Sequence, residues 1–271
     1  MLDTLFHLFR TGRVTQRPLF PDLPEYSRGL PDLTDAACND CGACASVCPT
    51  RAVSVAGGGV TLDLGRCLAC GECVSNCPTL TIVANRSTRV AVRAREDLIL
   101  HSPRRPASTV SPPSSSLFRR SFHIREVSTG DNASDLEVAA SNNPIFDVSR
   151  FGVHFVASPR HADALLVTGP VGLAMQEPLR RCLLAVPSPR LVIAAGASAI
   201  SGVPFNGGYA SADGVDATLA AMPVEDGGSP PSADVYIPGH PPHPWYLIHG
   251  ILLAMGHPAA HETRAEGARS R

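Results

Sequence analysis

Eight of the nine cysteines fall into two runs, Cys38-x2-Cys41-x2-Cys44-x3-Cys48-Pro49 and Cys67-x2-Cys70-x2-Cys73-x3-Cys77-Pro78. Thiolates at this spacing lie on one tight turn and take three corners of a single iron–sulfide cube. The fourth, drawn off by the helix that follows, is suited to the other cube. On that reading Cys38, Cys41, Cys44 and Cys77 hold one 4Fe–4S cluster, and Cys67, Cys70, Cys73 and Cys48 hold a second. Pro49 and Pro78 stop the chain from running on as helix. Structural zinc uses two ligand pairs separated by a longer gap, not four cysteines per run with a proline behind each. Disulfides need an oxidising compartment, and no leader points there.

The cysteines have to be positioned by what surrounds them. From Ala36 to Val83 the chain repeats itself: cysteine run, short apolar segment, cysteine run, short apolar segment. Ala52–Val55 and Leu80–Val83 are predicted strands, with a turn at Gly57-Gly58-Gly59 and a return strand at Val60–Leu62. So small a unit has little core, so the clusters are expected to hold it together and metal loss to unfold it. From His101 to Ser116 the composition turns to Ser, Pro and Arg, the mark of a linker. Beyond it, strands are predicted at Val153–Ala157, Ala164–Thr168, Leu191–Ala195 and Val235–Ile237, and helices at Gly172–Val186 and Pro244–Met255. Apolar runs alternating with helices predict a parallel sheet covered on its faces. Three turns then close strands where a ligand would sit: Thr168-Gly169-Pro170, Gly196-Ala197-Ser198-Ala199 and Pro238-Gly239-His240-Pro241-Pro242.

The fold class is therefore α/β: an N-terminal α+β two-cluster ferredoxin domain and a C-terminal parallel-sheet, flavodoxin-like domain. The expected divisions are a lead-in over 1–34, the ferredoxin domain over 35–100, the linker over 101–117, the second domain over 118–258 and a disordered tail over 259–271. A chain of 271 residues has room for two such cores. A net charge of -1 and 5% aromatic residues argue against nucleic-acid binding. Intact thiolates place the protein in a reducing compartment, the cytoplasm. The longest apolar runs, Leu191–Ala197 and Leu247–Met255, are too short to span a bilayer. Leu2, Leu5, Phe6 and Phe9 recur at helical spacing ahead of Arg10 and Arg13, as an amphipathic foot or as a helix packed on its own domain.

Asn143-Pro144-x-x-Asp147, Arg150-Phe151-Gly152, Ala157-Ser158-Pro159-Arg160-His161-Ala162-Asp163 with the Leu-Val-Thr-Gly-Pro-Val that follows, and Asp234-Val235-Tyr236-Ile237-Pro238-Gly239-x-Pro241-Pro242 carry a resemblance. Over residues 118–257 the chain resembles the cluster-bearing small subunit of respiratory complex I and membrane-bound nickel–iron hydrogenases, above all the formate-hydrogenlyase type. The first half, with its Tyr26-Ser27-Arg28-Gly29 lead-in, resembles the two-cluster ferredoxin subunit of the same complexes. Members of the small-subunit family hold one cluster with four cysteines. The resemblance puts Asp131, Ser134, Ser198 and His240 at those positions, so all four cysteines are replaced. Asp and His are competent ligands for a single ion, and His240 has the chemistry of a proton carrier near neutral pH, but two serines are poor replacements for thiolate on a cube. Loss of the site is the expectation. Cys182, within a helix, reads as a small hydrophobe rather than a replacement ligand.

What the resemblance implies is an electron-transfer iron–sulfur subunit of a membrane-associated hydrogenase-like or NADH-quinone oxidoreductase-like complex. It would sit peripherally on the inner face of the membrane, beside a large-subunit homologue and membrane-arm subunits. Substrate chemistry would belong to a partner, since the chain has no nickel-binding cysteine pair, flavin motif or nicotinamide fingerprint. The retained motifs and the apolar helix Pro244–Met255 are expected to need a partner surface. One alternative makes the C-terminal half a purely structural adaptor. Another, a free-standing ferredoxin with a fused ligand-binding domain, predicts a soluble monomer.

Overall fold

The computed structural model describes residues 3, 6, 7, 10, 18–103, 117–130, 133–222 and 232–261. Of the expected amphipathic foot, Leu2, Leu5 and Phe9 lie outside the described residues. So do most of the linker and all but the start of the tail.

The first domain is a doubled unit in which each feature recurs twenty-nine residues on. Gly42 and Gly71, with φ 69° and 80°, introduce the single-turn helices α1 (Ala43–Ser46) and α2 (Glu72–Ser75). Strands β2 (Val53–Ala56) and β4 (Ile82–Asn85) follow at the same interval. Gly57 and Gly58, at φ 59° and 76°, turn β2 back into β3 (Gly59–Asp63). The left-handed conformation this tight turn demands is one that glycine adopts without a Cβ penalty. Two further strands complete the unit: β1 (Leu30–Leu33) pairs antiparallel with β4, and β5 (Ile99–Ser102) pairs with β3. β1 thus belongs with the ferredoxin sheets rather than with a separate arm, and β5 runs past residue 100.

The second domain is a five-stranded parallel sheet of order β10-β9-β8-β6-β7. Its strands are β6 (Phe122–Ser128), β7 (Val153–Phe155), β8 (Ala164–Thr168), β9 (Leu191–Ala195) and β10 (Val235–Ile237). β8, β9 and β10 are the uninterrupted apolar runs that doubly covered parallel strands require. The helices are α3 (Ser134–Ser141), α4 (Leu173–Ala185), α5 (Ala197–Ser201), α6 (Val215–Ala220) and α7 (Pro244–Met255).

Every residue of α7 is buried. The partner surface its apolar composition called for is this chain itself, which corrects the expectation of an external one: a helix apolar all round is a core helix, here enclosed by the sheet, α3 and the first domain. Val92 and Tyr236 exchange two backbone hydrogen bonds of 3.0 and 2.8 Å across the domain seam. The Ala91 N–H donates to His249 Nδ1 (3.2 Å), and Arg93 donates to the Leu253 carbonyl. Phe20 meets Trp245 and His249 edge-on, with Arg89 over its ring. Gly250 permits the approach, since a Cβ there would collide with Ile237 and press on Ala91. The apolar core runs continuously from Leu30, Leu62 and Ile82 into Leu166, Ile193 and Ile248. The first domain therefore has more core than its size suggests, because it borrows that of the second.

Candidate iron–sulfur centres and the altered third site

Cys48, Cys67, Cys70 and Cys73 line a single cavity, walled by Ala52, Val53, Leu62 and Leu68. Cys48 arrives there from the first run because two elements are clamped. Thr50 Oγ1 donates to the Arg66 carbonyl (2.7 Å), and the Arg66 guanidinium returns bonds of 3.3 and 3.1 Å to the Thr50 carbonyl. Backbone N–H groups point at the sulfurs, Ala52 on Cys48 (3.1 Å) and Ala69 on Cys67 (3.4 Å). Cys67 and Cys73 are each 7% exposed. Burial pushes the Cys67 thiol up to about 12 despite the Ala69 bond, with Cys73, Cys70 and Cys48 adding repulsion. Cys73 is pushed up to about 11, again mainly by burial and then by Cys70 and Cys48. Four thiolates in this cavity need a positive centre, and coordinated metal supplies one by deprotonating its ligands outright.

Of the complementary set, Cys38 and Cys77 lie close enough to Cys44 to act on it. Cys44 is raised by burial, with Cys77 and Cys38 among the charges acting on it. Burial would also raise Cys77, but bonds from the Ile82 backbone, the Thr79 side chain and backbone and the Thr81 backbone outweigh it and hold this thiol below its ordinary value. Cys41 is exposed. Cys73 also feels Cys44, so the two sets are neighbours. Among the described residues no three His, Cys, Asp or Glu converge tightly enough for a single ion.

In the second domain Ser134 opens α3, Ser198 lies in α5 and His240 follows β10. Three loops meet there: a Cβ on Gly196 would stand 3.0 Å from Ser134 Oγ and 3.5 Å from both the Gly239 carbonyl and Pro242. The Gly196 N–H bonds the Ile237 carbonyl and the Ala197 N–H that of Gly239, both at 2.8 Å. Ser134 and Ser198 are fully buried. His240 Nδ1 is buried without a hydrogen-bond partner among the described residues, and burial lowers its pKa. Asp131 lies outside the described residues. Cys182 is half-buried on α4, against the core.

Three features carry no sequence pattern that would have singled them out for a role. Arg28, legible only as part of a lead-in, donates from Nη1 to the Cys70 carbonyl (3.2 Å). The Thr50–Arg66 clamp joins residues sixteen apart. Glu126 on β6 is raised to about 7, by burial first and then by Asp135, against Arg125.

Two family descriptions match the chain: residues 37–81 match the 4Fe-4S dicluster domain, and residues 132–254 the 20 kDa subunit of NADH ubiquinone oxidoreductase. Formate hydrogenlyase subunit 7 of Escherichia coli strain K12 is 39% identical over 139 residues, 51% of this chain and 50% of that protein. The probable membrane-bound hydrogenase subunit mbhJ of Pyrococcus furiosus is 39% identical over 134 residues, 49% of this chain and 72% of that one. An NADH-quinone oxidoreductase subunit of Rubrobacter xylanophilus is 45% identical over 107 residues, 39% of this chain and 38% of that one. The chain thus spans about half the length of the first of these relatives.

Proposed function

Because the chain belongs to the NADH ubiquinone oxidoreductase 20 kDa subunit family and carries a 4Fe-4S dicluster domain ahead of that region, we propose that it is the electron-carrying subunit of a membrane-associated complex of hydrogenase or NADH-quinone oxidoreductase type. Two clusters are proposed, one on Cys38, Cys41, Cys44 and Cys77 and one on Cys67, Cys70, Cys73 and Cys48. The observation that carries this is the shared cavity of Cys48 with Cys67, Cys70 and Cys73, which supports crossed ligation. When bound, the clusters supply one-electron redox chemistry. The chain's own residues hold them in place and exclude water: the Thr50–Arg66 clamp fixes Cys48, and Leu62 and Leu68 wall the cavity.

The second domain is read as a docking scaffold for a large-subunit homologue and membrane-arm subunits. Direct backbone closure of the Gly196 and Gly239 loops, with serine at two former thiolate positions, favours a domain that no longer conducts. Among the described residues no helix is long and apolar enough to cross a membrane. A peripheral place at the membrane's inner face is proposed from the kinship with a membrane-bound hydrogenase subunit. Iron and acid-labile sulfide analysis of the full chain, purified anaerobically, tests the reading. About eight irons are expected, whereas four irons accompanied by zinc would contradict it.

A further inference from the structure

The two cysteine turns are alike in backbone and unlike in charge. Asp40 and Ala69 occupy equivalent positions, at φ 55° and 54°. The Asp40 carboxylate is pinned on its turn by the Gly58 N–H at 2.7 Å. On the other turn stands a cation instead. Arg28 reaches in from ahead of β1, donates to the Cys70 carbonyl at 3.2 Å, and lays its side chain 3.5 Å from where a Cβ on Gly71 would be. A second guanidinium, Arg66, sits next to Cys67 in sequence and is held on Thr50. The acid on this side, Glu72, lines the same cavity as the thiols and, like Arg28, is exposed, so it offsets part of the positive charge of the two guanidinium groups.

Reduction adds an electron to a group that is already anionic with its four thiolates. Burial disfavours that added charge, and one set has two buried thiols, Cys67 and Cys73, where the other has Cys44 buried and Cys41 exposed. Solvent exclusion alone would therefore make the more buried centre the harder to reduce. A fixed cation works in the opposite sense: Arg28 is exposed, so solvent screens its attraction, whereas Arg66, part-buried on Thr50, is screened less.

We propose that Arg28 is a potential-setting residue: its guanidinium, with Arg66 beside it, raises the reduction potential of the centre held by Cys67, Cys70, Cys73 and Cys48, while Asp40 lowers that of the other centre. The inference rests on the two-cluster reading above. Its consequence is directional: these charges bias electrons toward the centre whose loop is tied to the second domain by the Ser201 Oγ bond to the Gly65 carbonyl (2.7 Å), against the bias that burial alone would set.

The test is a redox titration followed by electron paramagnetic resonance on the full chain, in parallel with iron and sulfide counts on the same samples. Arg28→Gln keeps a donor for the Cys70 carbonyl and removes the charge, so one signal should move to more negative potential while the other stays. Arg28→Lys should restore most of the shift. Asp40→Asn, at an exposed position, should move the second signal to more positive potential and supplies an independent arm if Arg28→Gln loads poorly. Unchanged midpoints in Arg28→Gln, or Arg28→Gln and Asp40→Asn acting on the same signal, would overturn the proposal while leaving two clusters standing. A wild-type protein without two reducible 4Fe–4S signals would overturn the two-cluster reading and the proposal together.

Discussion

Lowering the pH should weaken the domain seam through one residue, His249. Its ring is 6% exposed, accepts the Ala91 N–H through Nδ1 and packs edge-on against Phe20. Burial, then the Arg89 charge, lowers its pKa from 6.5 to about 4. Above pH 6.5 the ring is neutral in both the folded and unfolded chain and contributes no pH dependence. As the pH falls below 6.5 the unfolded chain takes up a proton that the folded chain refuses, so stability drops until the folded pKa is passed. With 1.36 kcal/mol per unit, the loss is about 2 kcal/mol by pH 5 and levels off near 3 kcal/mol below pH 4. The assay is denaturant unfolding of the loaded protein at pH 7, 6 and 5, beside His249→Asn, which retains an acceptor and does not titrate. Subtracting the two pH profiles cancels every other titrating group and the acid sensitivity common to both proteins. The wild type should lose about 2 kcal/mol more than the variant between pH 7 and 5. Parallel profiles would refute a buried, neutral His249 at this seam.

Two further perturbations follow from the same packing. Glu126 has a raised folded pKa, so its penalty is absent below 4.5 and complete above about 7. Glu126→Gln should therefore stabilise the protein at pH 8 by about 1 kcal/mol, after discounting for partial exposure, and by nothing at pH 4.5, as read by chemical denaturation. Gly250→Ala should destabilise by about 1–3 kcal/mol through overpacking against Ile237 and Ala91. It should also speed hydrogen exchange at Val92 and Tyr236, whereas Gly172→Ala, at φ -60° with nothing closer than 3.6 Å to the added carbon, should not.

Where one local signal dominated, the sequence was legible. The cysteine spacing places both turns, and Ala164–Thr168, Leu191–Ala195, Val235–Ile237 and Pro244–Met255 have the bounds that uninterrupted apolar runs predicted. β6 was not legible, though it lies between β7 and β8 in the sheet: its buried Phe122, Ile124 and Val127 are interrupted by His123, Arg125 and Glu126, so no apolar run announces it. β1 escaped for a related reason, because Leu30–Leu33 is only four residues with a proline and an aspartate inside. The seam could not be read at all. Ala91 and His249 are 158 residues apart, and nothing in either neighbourhood names the other. For that reason α7 read as a surface awaiting a partner. The candidate site divides the same way: the thiols follow from spacing, while Arg28 and the Thr50–Arg66 clamp belong to tertiary structure.

The central claim is that each centre takes its fourth thiolate from the opposite run, and single Cys→Ser variants followed by electron paramagnetic resonance test it most directly. If ligation is crossed, Cys48→Ser and Cys73→Ser perturb one and the same cluster signal, and Cys77→Ser and Cys44→Ser perturb the other. If Cys48→Ser instead perturbs the signal that Cys44→Ser perturbs, each run holds its own cluster and crossed ligation is contradicted.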